Sequence, residues 1–253
     1  MVPPRVQMTS PLSSDPRLAL VERFFRGTGS TYDCMVHVTT LGIDRRWKRR
    51  MTRIVRERIG EPSAILDLAC GTGLSTFAFA RAFPRARIVG VELRKEYLDR
   101  ARAKCLSGSR TARTRYPNVE FVLSRAEDYA TDRRFDVVTA SYLAKYADLP
   151  VLVDRAAAWL HPGGLFMMHD FTLPPNRITL AVWRGYFRML QTVGSRICPS
   201  WKAIYDGLPK LIERTRWTNE LTALLRERGF RDVTFEWQTL WGSAIITARR
   251  PPL

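Results

Sequence analysis

Asp67, Gly71, Thr72, Gly73 and Glu92 are the residues whose types and spacing most clearly promise chemistry. The run Ile65-Leu66-Asp67-Leu68-Ala69-Cys70-Gly71-Thr72-Gly73 ends an apolar strand in a carboxylate and then turns on glycines. Such a turn lets the backbone approach a ligand just before a helix begins. Nineteen residues beyond Gly73, Glu92 closes a second apolar run, Ile88-Val89-Gly90-Val91. An acid at that place can accept from both ribose hydroxyls of an adenosine. The competing reading is structural, with Asp67 or Glu92 capping the helix that follows it.

A dinucleotide would use the same strand, turn and later acid. Its pyrophosphate fingerprint, G-x-G-x-x-G, needs a glycine where Thr76 stands. A carboxylate at Asp67 would also repel a pyrophosphate, whereas it would attract the amino group of a methionine moiety. The residues therefore favour S-adenosylmethionine as cofactor over a nicotinamide. Other candidates are sparser. His169 and Asp170 end a later strand and could hold or move a proton, although His169 could equally be a packed core residue. His37 faces either substrate or solvent. Cys34 and His37 form a C-x-x-H pair with no second pair to complete a zinc site, so no metal is expected.

The elements that must position these residues alternate regularly. Leu18 to Arg26 and Asp44 to Ile59 read as helices, the second with Trp47, Met51, Ile54 and Val55 on one face and arginines opposite. Apolar runs at 64–66, 87–92, 119–123, 135–141 and 165–170 read as strands, with helices over 95–106 and 148–160 between them. The helix over 148–160 stops at His161-Pro162-Gly163-Gly164. The spacing predicts an α/β, Rossmann-like doubly wound, mostly parallel sheet. A helix over 219–228 and strands over 233–237 and 243–248 then close it, for seven strands expected in all. Residues 176–217 are rich in aromatics and read as a cap over the carboxyl edge, where such folds bind ligands. The expected organisation is a loose tail (1–17), an N-terminal helical cap (18–60), a cofactor-binding core (61–175), a cap insertion (176–217), and a closing helix with strands (218–253).

Composition narrows the partners. The 253 residues carry 41 Lys and Arg against 24 Asp and Glu, a formal charge of +17, concentrated at Arg45–Arg58 and Arg100–Arg115. That balance suits an anionic membrane surface, nucleic acid or an acidic substrate, or is only arginine on solvated helix faces. No run approaches the length needed to cross a bilayer, and the four scattered cysteines suit a reducing, cytoplasmic setting.

The motifs also resemble a known family. Ile65 to Gly73 looks like motif I of class I S-adenosylmethionine methyltransferases, and Leu160-His161-Pro162-Gly163-Gly164 resembles their L-x-P-G-G turn. Tyr32-Asp33 followed by Gly42 to Lys48 is similar to the Y-D…G-x-x-R-x-W-K signature of the ubiquinone/menaquinone-biosynthesis C-methyltransferases. Asp170-Phe171, and Leu208-Pro209 through Gly229-Phe230, resemble that family's later blocks. The resemblance implies methyl transfer to a hydrophobic, aromatic or quinol-like small molecule. It puts cofactor contacts at Thr72, Glu92, Leu93, Arg125, Ala126 and Ser141. It also puts a cation after the fourth strand, where this chain has Lys145 in place of arginine. Lys145 would steady a phenolate, with Tyr32, His37, His169 and Asp170 as candidates for proton removal, His169 and Asp170 ranked first. Peripheral contact with an anionic membrane and a homodimer are further expectations.

Two alternatives stay open. One is a nucleic-acid methyltransferase, yet amino-group methylation of bases uses an N/D-P-P-Y/F turn where this chain has Ser141-Tyr142-Leu143-Ala144. Cytosine carbon chemistry needs Pro-Cys, and Cys198-Pro199 is in the reverse order. The other is a non-catalytic basic binding protein that keeps the fold.

Overall fold

A computed structural model describes residues 15–106 and 115–251. Most of the expected tail, and the middle of the second arginine cluster, lie outside the described residues. The strands are β1 (Ala64–Leu68), β2 (Arg87–Glu92), β3 (Val119–Leu123), β4 (Phe135–Ser141), β5 (Leu160–Phe171), β6 (Arg231–Trp237) and β7 (Ser243–Arg249). They form one sheet in the order β3-β2-β1-β4-β5-β7-β6. Strands β3 to β5 pair in parallel, and β7 runs antiparallel to both of its neighbours. This is the expected Rossmann-like arrangement. The strand order reverses between β1 and β4, so the ligand crevice belongs at their carboxyl ends.

The helices are α1 (Pro16–Phe25), α2 (Tyr32–Thr39), α3 (Asp44–Arg58), α4 (Leu74–Ala82), α5 (Lys95–Leu106), α6 (Leu149–Trp159), α7 (Arg177–Met189), the single turn α8 (Ser195–Ile197), α9 (Lys202–Arg214) and α10 (Trp217–Glu227). Neighbouring residues of each central strand feed opposite cores, as a pleat requires. Leu66, Val138, Phe166 and Ile246 pack with α6 and α10 residues such as Leu152 and Leu221. Ile65, Val137, Met167 and Ile245 pack with α3 and α4 residues such as Met51, Val55 and Phe79. A third cluster joins α1, α2 and α9 through Phe24, Val36, Trp201, Tyr205 and Ile212. There Gly207 allows a close approach, because a Cβ on it would sit 2.4 Å from the Phe24 ring.

Two local readings change. The helix α6 ends at Trp159, and β5 already begins at Leu160, so His161 to Gly164 is not a turn ahead of the strand. The segment bulges within the strand: Phe135 pairs with Leu160, yet Val137 pairs with Leu165. Gly163 takes φ +77°, a conformation that suits glycine. Tyr32–Thr39, read only as a motif, is a helix lying over the glycine turn.

Candidate active site

Strands β1 and β4 are each followed at once by a residue held at positive φ: Ala69 at 51° and Tyr142 at 63°. Such backbone costs on the order of 1–3 kcal/mol per residue and gathers at functional sites. Two adjoining cavities open at these strand ends. The smaller, about 110 Å³, is lined by Gly71, Glu92, Leu93, Arg125, Ala126 and Ser141 together with α1 residues. The larger, about 330 Å³, is walled by aromatics and aliphatics from α2, α7, α9 and the segment around Leu240. Phe25, Tyr32, Tyr142 and Tyr146 line both cavities and form the partition between them.

In the smaller cavity Glu92 is buried, and burial pushes its carboxyl above the usual range. Its two oxygens accept from the backbone N–H groups of Gly71 (2.9 Å) and Arg94 (2.8 Å), which fixes the carboxylate and leaves each oxygen further lone pairs. A fixed, buried carboxylate beside the apolar side chains of Leu93 and Ala126 fits a ribose diol with its base, as in S-adenosylmethionine. Arg125 reaches the cavity edge, but its guanidinium is held by Glu127 (2.9 Å) and Asp15 (2.8 Å).

The other expected cofactor residues stand behind the wall. Gly73 holds φ +88° and starts α4, with the Phe77 ring against it. The Thr72 hydroxyl donates to Asp33 over 2.5 Å, and Lys104 donates to the Thr72 carbonyl. Asp67 is buried and accepts from Thr76 (2.6 Å), while its second oxygen has no partner. Burial pushes the Asp67 carboxyl up to about 7.

Among the described residues that line the larger cavity one side chain is charged, Lys145, buried and ion-paired with the buried Asp170. Burial lowers the Lys145 ammonium against the opposing pull of Asp170. Asp170 also accepts from the Phe171 N–H (2.7 Å), and its other oxygen is unpartnered. Tyr32, Tyr142 and Tyr146 have phenols pushed well above their usual range, chiefly by burial. Burial makes each phenol harder to ionise, which makes Tyr32 a poorer proton acceptor than its residue type suggests.

Two of the candidates for proton removal lie outside both cavities. His169 is fully buried between the rings of Trp47 and Tyr142, each 5.2 Å away, and lines neither cavity. Its nitrogens meet Ser141 (3.5 Å) and Ser243 (3.4 Å), and burial holds the imidazole well below its usual pKa. It is a neutral packing residue. His37 is exposed on α2 with its ring over Gly42, and it also lines neither cavity.

Sequence reasoning missed a buried polar group behind the partition. Lys48 pairs with Asp44 at 2.8 Å, donates to Ser141 (3.3 Å) and lies 4.3 Å over the Tyr142 ring. Tyr142 in turn stacks on Phe171 at 4.9 Å. The available signal was spacing: Asp44 and Lys48 share the face of α3 that buries Met51 and Val55.

Comparison with known proteins shows the family. The sequence profile of the ubiE/COQ5 methyltransferase family matches residues 13–249. The demethylmenaquinone methyltransferase of Chlorobaculum tepidum is 30% identical over 236 residues, 91% of this chain and 92% of the relative. That of Thermus thermophilus is 31% identical over 223 residues, 87% of this chain and 96% of the relative. Among solved structures, the plantazolicin methyltransferase BpumL, in complex with a triazolic desmethylPZN analog and SAH, superposes with a TM-score of 0.64 at 11% identity. That match covers 93% of this chain and 95% of BpumL, and it supports the fold alone. The chain belongs to the ubiE/COQ5 methyltransferase family, and it is an S-adenosylmethionine-dependent methyltransferase.

Proposed function

We propose that this enzyme methylates a ring carbon of a hydrophobic, quinol-like aromatic acceptor. The observation that carries the reading is the junction of the cavities. A small cavity with a fixed carboxylate meets a larger apolar one across four aromatic rings, and one cation stands on the apolar side. When bound, S-adenosylmethionine supplies an electrophilic methyl group on a sulfonium. Glu92 binds the ribose, Leu93 and Ala126 flank the base, and Ser141 stands at the end of β4. Phe25, Tyr32, Tyr142 and Tyr146 orient the acceptor against the donor and exclude water, which in-line displacement requires. The acceptor binds as its phenolate, its proton released to solvent beforehand, so that electron density reaches the ring carbon. That carbon forms the new bond to the methyl group and then loses its own hydrogen as a proton, which restores the aromatic ring. Lys145 steadies the phenolate oxygen, and Asp170 holds Lys145 in place.

An acceptor base in a nucleic acid brings charged phosphates with it, yet among the described residues lining the larger cavity Lys145 is the one charged side chain, amid threonines and a mostly apolar wall. The relatives named above carry quinone names, which favours the quinol-like acceptor. Trp47, Trp183 and Trp201 line the cavity, so a bound acceptor reports on itself. A short-tailed naphthoquinol analogue should quench tryptophan fluorescence saturably, and Trp183→Phe should weaken the signal. A titration that stays linear and unsaturable for every quinol tried would overturn the proposed acceptor.

A further inference from the structure

We infer that the mouth of the larger cavity docks on an anionic lipid bilayer, with the outward face of α7 lying on the surface. The inference rests on the lipophilic acceptor proposed above. Helix α7 continues through a π turn (Leu190–Gly194) into α8. Its inner face, including Trp183, Tyr186 and Phe187, lines the cavity. Its outer face is also apolar: Ile178 is 79% exposed, Val182 59%, and Ile197 78%, with Met189 and Val193 about half exposed. A helix apolar on both faces, with only one face covered, needs a second apolar surface.

The rim of the cavity points the same way. Leu41, Val182 and Leu240 come from three separate elements, all line this one cavity, and all are exposed. Leu41 and Leu240 hold φ +51°, and the exposed neighbour Trp241 holds φ +57°. A bulky side chain in that conformation is strained, so the backbone presents these residues to the outside at a cost. A rim that water would solvate poorly opens where a lipophilic acceptor must enter.

Charge identifies the occupant. Residues 177–197 contain no Asp or Glu, and Arg177, Arg188 and Arg196 are exposed along the same stretch. Apolar residues flanked by arginine suit a bilayer interface with anionic headgroups, where each basic residue contributes about 1 kcal/mol. Two of the α3 arginines are taken up by ion pairs. Arg50 is held by Glu236 and Glu57, and Arg56 by Glu61. Contact is at the surface, because no helix among the described residues is long and apolar enough to cross a membrane.

Sedimentation of the full chain with phosphatidylcholine vesicles, with and without phosphatidylglycerol, tests this. The parent should pellet with the anionic vesicles and fall off as salt rises. The double variant I178D/I197D should lose about tenfold or more in apparent affinity. It should also keep the parent's rate on a short-tailed, water-soluble quinol while losing rate on a long-tailed quinol embedded in vesicles. Equal pelleting of parent and variant, or no pelleting of the parent, would overturn the docking face. Vesicle binding that depends on Ile178 and Ile197, in a protein that methylates no quinol, would support the face and fault only the acceptor.

Discussion

Tyr142 donates its phenolic proton to the Asp44 carboxylate over 2.6 Å, tying the end of β4 to the first turn of α3. The bond holds a ring that lines both the smaller and the larger cavity. Tyr142→Phe keeps the ring and removes the bond, and Asp44 stays paired with Lys48. It should cost about 1–2 kcal/mol in urea unfolding. Tyr142→Ala also removes the partition, and should lower turnover far more than Tyr142→Phe does. Equal turnover in the two variants would show that the ring does not orient the acceptor.

Glu92 is the buried carboxylate lining the smaller cavity, where the proposed reading puts the donor's ribose. Glu92→Ala should weaken S-adenosylmethionine binding by on the order of 1.5–3 kcal/mol in calorimetry, through lost charge-assisted hydrogen bonds. Unchanged affinity would place the ribose elsewhere.

Asp67 makes stability depend on pH. Burial raises its folded pKa to about 7 from the model-compound value of 3.8, so the folded state binds the extra proton between those values. Its contribution is complete below the lower value and is lost as pH rises through the upper one. Asp67→Asn carries no charge to bury. Relative to the parent, it should gain on the order of a few kcal/mol more at pH 8 than at pH 5. A parent-to-variant difference that is the same at both pH values would contradict the raised pKa.

Lys145 and Asp170 form a buried ion pair whose structural and proposed catalytic roles variants can separate. Lys145→Met strands a buried carboxylate and should cost about 3–5 kcal/mol of stability. Adding Asp170→Asn should recover much of that stability. Turnover should remain at least about tenfold down in both variants, with donor affinity close to the parent's. Recovery of activity along with stability would make the pair a purely structural device.

The sheet was legible because its central strands are buried on both faces and separated by glycine turns and amphipathic helices. Ile65 and Leu66 needed only their apolar character to read as strand, and Gly71 and Gly73 only their spacing to mark the ligand end. The site was less legible wherever side chains choose between two faces. His169 and Asp170 are adjacent on β5, so the pleat sends them to opposite sides; Asp170 meets Lys145, and His169 meets Trp47. A sequence places both at the crevice and does not say which one faces it. Lys48 was hidden by company: in a helix crowded with arginine, one buried lysine reads as another solvated cation. The Tyr32–Thr39 helix is only eight residues long and mixes β-branched with polar residues, so its periodicity is weak.

The most direct measurement is carbon NMR of the product formed from methyl-labelled S-adenosylmethionine and a reduced, short-tailed demethylmenaquinone. The account predicts a labelled methyl on the quinol ring carbon, formed from the reduced acceptor and not from the oxidised quinone. Label on oxygen, or no transfer to a quinol under conditions where the donor binds, would contradict it.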